Sequence, residues 1–276
     1  MSKIKDLATQ TFKRWSDYDG ITDSAALAFI FLMSLPALLL FTISLGSIFV
    51  KDVTLQQRII SYASNIADQT TLNLLNSLFQ QIPDTNTLTM GLIISILLFL
   101  WTAGNLFRQL QKTINGMWDV GYQPGAWYEE SLRKRFSAML AVFVFVLLLV
   151  ASTFLEVILL NISQSFQNIL PLPLNVIQYS TSVINLIILL LLFIYLYRVL
   201  PETKLDMKYV LTGSFLTVLF ILIGKYAFSL YLLFGNPRSA YGSIGSLIAM
   251  FLWIYISAII ITVMAEFTKV YADYDS

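Results

Sequence analysis

Long apolar runs, separated by short segments that hold nearly every lysine and arginine, constrain this chain more than any other feature. A bilayer core of roughly 30 Å is crossed by about 20 predominantly apolar residues in a helix. Runs of that length lie near 25–49, 89–108, 137–160, 176–199, 209–234 and 243–267. The pattern predicts an all-α, polytopic transmembrane helical bundle of about six spans. At 57% hydrophobic and 12% charged residues, the composition falls outside that of a water-soluble domain. Because the spans and their connections nearly consume the 276 residues, a single membrane domain over 1–276 is expected.

The placement of cations sets the orientation. Lys3, Lys5, Lys13 and Arg14 precede the first run, and Arg108, Lys112, Arg133, Lys134 and Arg135 fall at or after the end of the second. Arg198, Lys204 and Lys208 separate the fourth and fifth, and Lys269 follows the sixth. The opposite side holds Lys51, Arg58 and Arg238. Cationic loops stay cytoplasmic, so both termini are expected in the cytoplasm. The polar first 20 residues predict a retained first span rather than a cleaved signal. The chain has no cysteine, which removes disulfides, thiolate metal sites and thiol-linked lipid anchors.

The connecting segments carry amphipathic patterns of their own. Ile4, Leu7, Ala8, Phe12 and Trp15 recur at helical spacing beside Lys3, Lys5, Lys13 and Arg14, which predicts a cytoplasmic interfacial helix over 1–20, ended by Gly20. Its cations are expected to meet anionic headgroups, each contributing on the order of 1 kcal/mol near the surface. The external segment 51–87 carries two apolar stripes and a Thr54/Gln57 capping box, the pattern of amphipathic helices acting as a lid or a gate. Gly121 and Pro124-Gly125 predict a turn. Arg133, Lys134 and Arg135 beyond it mark the entry of the third span, either as topology signals or as a headgroup site.

Chemistry is sparse. Histidine is absent, which removes His-based triads and zinc sites. No phosphate-binding glycine motif appears, and a net charge of +1 leaves no nucleic-acid footprint. The residues therefore call for no cofactor and no metal. Attention shifts to ionisable groups within the spans, each costing at least about 2.5 kcal/mol at a helix centre. Glu156 and Lys225 lie at depths that differ by only about 5 Å and are candidates for an ion pair in the outer half. Asp23, Arg108 and Glu266 sit at similar depth at the cytoplasmic edge, as an inner gate, a headgroup site or a structural network. Ala258, Thr262 and Glu266 form a small-polar stripe suited to close helix packing. Pro36 interrupts the first span, as in the broken helices that line transport cavities.

Three strings carry a family resemblance. Asp23-Ser-Ala-Ala-Leu-Ala-Phe-Ile-Phe-Leu-Met-Ser-Leu-Pro36 resembles the opening signature of the YihY/BrkB family of bacterial inner-membrane proteins. Leu100-Trp-Thr-Ala-Gly-Asn-Leu-Phe-Arg108 with Ile114-Asn-Gly-Met-Trp118 resembles its second region, and Tyr241-Gly-Ser-Ile-Gly-Ser through Ala265-Glu266 its last span. The resemblance implies a six-span bundle in the bacterial cytoplasmic membrane, a link to envelope integrity, and transport of lipids or lipid precursors. It also carries an old ribonuclease BN label. That label fits poorly here, because the one adjacent acidic pair, Glu129-Glu130, lies beside three cations.

The leading expectation is a transporter or lipid translocase for an anionic amphiphile, without its own ATPase. Asp23, Pro36, Arg108, Glu156, Lys225 and Glu266 are its pathway or gating candidates, and Lys13, Arg14, Arg133, Lys134 and Arg135 its lipid-headgroup candidates. The alternative is a non-transporting scaffold with an envelope-assembly partner. Anionic membrane lipids are the expected partners, nucleic acid is not, and self-association is left open.

Overall fold

The computed structural model describes residues 2–49, 85–120, 136, 140, 148, 174–201, 203–235 and 245–275. They form helices α1 (Ser2–Asp17), α2 (Gly20–Phe49), α3 (Thr85–Met117), α4 (Leu174–Val199), α5 (Met207–Gly235) and α6 (Gly245–Asp275), with no strand among the described residues. By length and composition, Gly20–Leu38, Ser182–Val199, Met207–Phe234 and Leu247–Asp275 can each cross a membrane. These match the first, fourth, fifth and sixth expected runs. The second lies within the continuous helix α3, which is not among those four. Nearly all of the third run, the segment 51–84, and the turn at Gly121 and Pro124-Gly125 lie outside the described residues.

The chain divides into two compact units, Met1–Leu32 with Ala103–Ser276, and Met33–Thr102. The smaller unit contains Pro36, which is exposed and does not end its helix: α2 continues to Phe49. Ser34, Ala37 and Phe99 are its buried positions among the described residues.

In the larger unit the polarity of a water-soluble core is reversed. Large apolar side chains such as Phe215, Ile223, Tyr226 and Leu233 on α5 are exposed, while Ser24, Thr113, Ser214, Thr217, Thr262, Glu266 and Thr268 are buried. Lipid tails give apolar side chains no strong reason to turn inward, so these small and polar residues, which allow close approach and hydrogen bonding, share the interior with apolar side chains such as Ile114, Phe193 and Val210. Gly213 shows how tightly α5 approaches α6: a Cβ there would stand 1.8 Å from Thr268 Oγ1 and 3.0 Å from its Cβ. Gly213→Ala is expected to destabilise the protein by about 1–3 kcal/mol through overpacking. Thr268→Ala in the same chain, which removes the clashing hydroxyl, is expected to recover most of that loss, as thermal unfolding in detergent would show.

α1 ends earlier than the sequence suggests. Its last residue is Asp17, Asp19 takes the left-handed conformation at φ 62°, and Gly20 begins α2 instead of closing α1. Glycine is needed at that position for space, since a Cβ on it would lie 2.3 Å from the Trp15 indole nitrogen. Asp19 then accepts a hydrogen bond from the Thr22 hydroxyl at 3.0 Å, closing the first turn of α2. At the far end of α3, Asp119 adopts the same left-handed conformation, φ 52°, and its N–H bonds to the Gly116 carbonyl at 3.2 Å.

Helix α6 organises the unit. Its 31 residues rise about 46 Å, more than the hydrocarbon thickness of a bilayer. Within the stretch 261–275, each of the other five helices reaches it through a side-chain bond or a direct packing contact.

Candidate functional site

The site is built on one face of the C-terminal half of α6. Ala258, Thr262 and Glu266, spaced by four residues, are all buried there, with Ala265 and Thr268 on the flanks. The Thr262 hydroxyl accepts the indole N–H of Trp15 at 3.0 Å and lies 2.8 Å from the Ser24 hydroxyl, joining α1 and α2 at one atom. Ser24 in turn donates to the Gly20 carbonyl at 2.7 Å. At the adjacent residue, the buried Tyr197 hydroxyl of α4 donates to the Ile261 carbonyl at 3.0 Å and meets Thr217 of α5 at 2.9 Å. From the end of α3, Trp118 donates its indole N–H to the Ala265 carbonyl at 3.2 Å.

Charge enters at Glu266, whose side chain is 0% exposed. Arg14 Nε stands 3.0 Å from its Oε1, yet off the hydrogen-bonding direction, so neither carboxylate oxygen accepts a hydrogen bond among the described residues. The other side of the guanidinium is better placed, with Nη1 donating to Asp273 at 2.9 Å. Burial alone would lower the Arg14 pKa, but the hydrogen bond to Asp273 and the charge of Glu266 hold it above its ordinary value. Further along, Lys3 donates to Asp275 at 2.8 Å, a bond that raises the lysine's pKa. Lys208 of α5 reaches the same carboxylate at 3.2 Å, and both ammonium groups lie over the ring of Tyr271.

These pairings fix the direction of α1. Residue 3 meets 275 and residue 15 meets 262, so equal lengths of the two helices run antiparallel side by side. Lys3, Leu7, Thr11, Arg14 and Trp15 share the packed face at helical spacing. Ile4 and Phe12, expected on the apolar face with Leu7 and Trp15, remain 77% and 63% exposed. The packed face is thus turned away from the apolar stripe and toward Arg14, in the direction of the α6 carboxylates.

The sequence-derived candidates separate accordingly. Arg14, expected at lipid headgroups, is held within the protein by Glu266 and Asp273, while neighbouring Lys13 is exposed. Asp23 is half-buried beside Ser24, and burial followed by its charge pushes the Tyr18 phenol up. Arg108 is exposed and donates to Asn105 on its own helix, so the expected grouping of Asp23, Arg108 and Glu266 is replaced at Glu266 by Arg14. Lys225 is exposed on α5. Glu156, Arg133, Lys134 and Arg135 lie outside the described residues, and with them the Glu156–Lys225 pair. The site roles of Trp15, Ser24, Trp118 and Tyr197 were not anticipated; the signal available for them was that each carries a polar atom within or just past an apolar helix.

The sequence matches the family described as Virulence factor BrkB over residues 11–275. The chain belongs to the BrkB family. Along nearly its whole length it is similar to the ribonuclease-like protein YfkH of Bacillus subtilis, 26% identical across 96% of this chain and 94% of that one. A shorter stretch is similar to UPF0761 membrane proteins, 36% identical to that of Haemophilus influenzae over 27% of this chain and 28% of the relative. The Pasteurella multocida protein is 33% identical over 30% and 27%. No solved structure matches the chain. This BrkB-family chain is a membrane protein in which the family match includes every residue of the α6 cluster together with Arg14 and Trp15.

Proposed function

We propose that this BrkB-family protein moves an anionic amphiphile between leaflets of a bacterial cytoplasmic membrane, with both chain ends on the cytoplasmic side and no ATPase of its own. The observation that carries the reading is Glu266: a fully buried carboxylate on a candidate membrane helix, among hydroxyl groups, with a cation beside it and, among the described residues, no hydrogen bond to either oxygen. Ionisable groups so fully buried within membrane helices are costly to keep and are a mark of substrate or ion pathways. Cations that meet the substrate headgroup come from α1 and from Arg108 and Lys225 at the exposed surface. Ribonuclease chemistry is not part of the proposal, because the chain offers no histidine as a base or metal ligand.

Transbilayer movement of labelled anionic and zwitterionic lipids in proteoliposomes tests it. Headgroup-selective movement above empty liposomes is expected, strongly reduced by Glu266→Gln and reduced in part by Arg108→Gln or Lys225→Met at matched incorporation. No movement under any imposed gradient would overturn the reading in favour of a non-transporting scaffold for envelope assembly.

A further inference from the structure

Helix α1 is held to its neighbours by ionic ties that differ in one respect. Asp275 accepts from Lys3 of α1, and also from Lys208 of α5. Asp273 accepts from Arg14 of α1, and also from Lys269 on its own helix at 2.6 Å. Were α1 to move away, each of these carboxylates would keep a cation. Glu266 would keep no ion pair, because Arg14 is its one ion-pair partner among the described residues and Lys269, also near it, is paired with Asp273. A wholly buried carboxylate without a counter-ion is expensive, and the smallest group that can replace the lost cation is a proton from solvent.

The surroundings of Glu266 fit such an exchange. The charged groups facing it are Arg14 from α1, Asp119 just past α3, and Lys269 and Asp273 from α6. The remaining helices present neutral groups to this part of α6: Ser24 from α2, Tyr197 from α4 and Gly213 from α5, against Thr268. Arg14 itself is 34% exposed, within reach of a ligand from outside, and Lys13 next to it is exposed. A guanidinium freed from a carboxylate offers paired N–H donors that suit a phosphate-type oxyanion.

We infer that Glu266 and Arg14 form one exchangeable site: a proton taken up by Glu266, with Lys269 keeping Asp273, frees Arg14 to bind a phosphate-type oxyanion. The inference deepens the transport reading, on which the lipid nature of its ligand rests; the proton site stands on the ion-pair geometry.

The absence of cysteine makes a direct test possible, since labels can be attached to the full chain without background. Spin labels placed through Ala8→Cys on α1 and Leu211→Cys on α5 report the separation of these helices in zwitterionic nanodiscs. In the same preparation, binding of inorganic phosphate and of phosphatidic acid is measured from mildly alkaline to acidic buffer. The distance distribution is expected to gain a longer component in acid, while phosphatidic acid affinity rises by up to about tenfold per pH unit across the transition. Glu266→Gln is expected to show the longer component and the higher affinity at every pH. Parallel behaviour of inorganic phosphate would identify the ligand as the oxyanion alone, and its failure to bind would identify a headgroup carried on an amphiphile; either supports the site.

A separation independent of pH, or a pH dependence of binding as large in Glu266→Gln as in the wild type once the ligand's own titration is matched, would overturn it. Should that variant fold poorly, Arg14→Lys gives an independent reading. It keeps a charge for Glu266 but loses the paired N–H edge, so it should retain the pH-dependent separation and lose most of the oxyanion affinity. Unchanged affinity would refute the assignment of Arg14. Lipid movement with no pH dependence of binding would sink this site and leave the transport reading intact, and pH-linked binding without lipid movement would do the reverse.

Discussion

Arg14→Leu is expected to cost about 3–5 kcal/mol of stability in alkaline buffer, because it strands Glu266 as a buried, unpaired charge. The pair is poorly aligned and half of it is partly exposed to solvent, so the loss comes less from the attraction removed than from the carboxylate left behind. Arg14→Leu combined with Glu266→Leu is therefore expected to recover most of the deficit, since apolar replacements of a buried pair are often neutral or better. In acid the single variant should improve as well, because a protonated carboxyl carries no charge to strand. Thermal unfolding in detergent across a pH series checks all three results. An Arg14→Leu chain as stable as the wild type at alkaline pH would contradict the burial on which the argument stands.

Thr262→Val is expected to be nearly as informative. Valine fills the same space, but the Trp15 indole N–H loses its acceptor within a buried contact. Ser24 keeps the Gly20 carbonyl, so the expense falls on one orphaned donor, about 1–3 kcal/mol. Thr262→Ser, which retains the hydroxyl, is expected to lose clearly less. A change in Trp15 fluorescence with Thr262→Val but not with Thr262→Ser would place the effect at that bond.

The positions of the four membrane-length helices were legible in the sequence because hydropathy is a local property and a bilayer imposes a fixed length on it. The buried stripe Ala258, Thr262, Glu266 was legible for a related reason: helical spacing places all three on one face. Rotation of one helix against another was not. α2 and α4 are apolar all round, so no polar stripe shows which side turns inward, and depth alone put Arg108 level with Glu266. In the structure Arg108 turns outward to Asn105, and Arg14 occupies the place beside Glu266. The amphipathic pattern of α1 was equally visible, but its partner was not, since an exposed apolar stripe fits a membrane surface as well as a neighbouring helix. What decided the packed face was a set of carboxylates at the opposite end of the sequence.

That α6 serves as the common post has a consequence for biosynthesis. A ribosome delivers helices in order, and α6 emerges after the other five. Until then the indoles of Trp15 and Trp118 and the hydroxyl of Tyr197 have no α6 acceptor, and Arg14 waits at the membrane edge without its carboxylate. The earlier helices of the larger unit therefore lack these bonds until α6 arrives, and the arrival of that one helix closes them together.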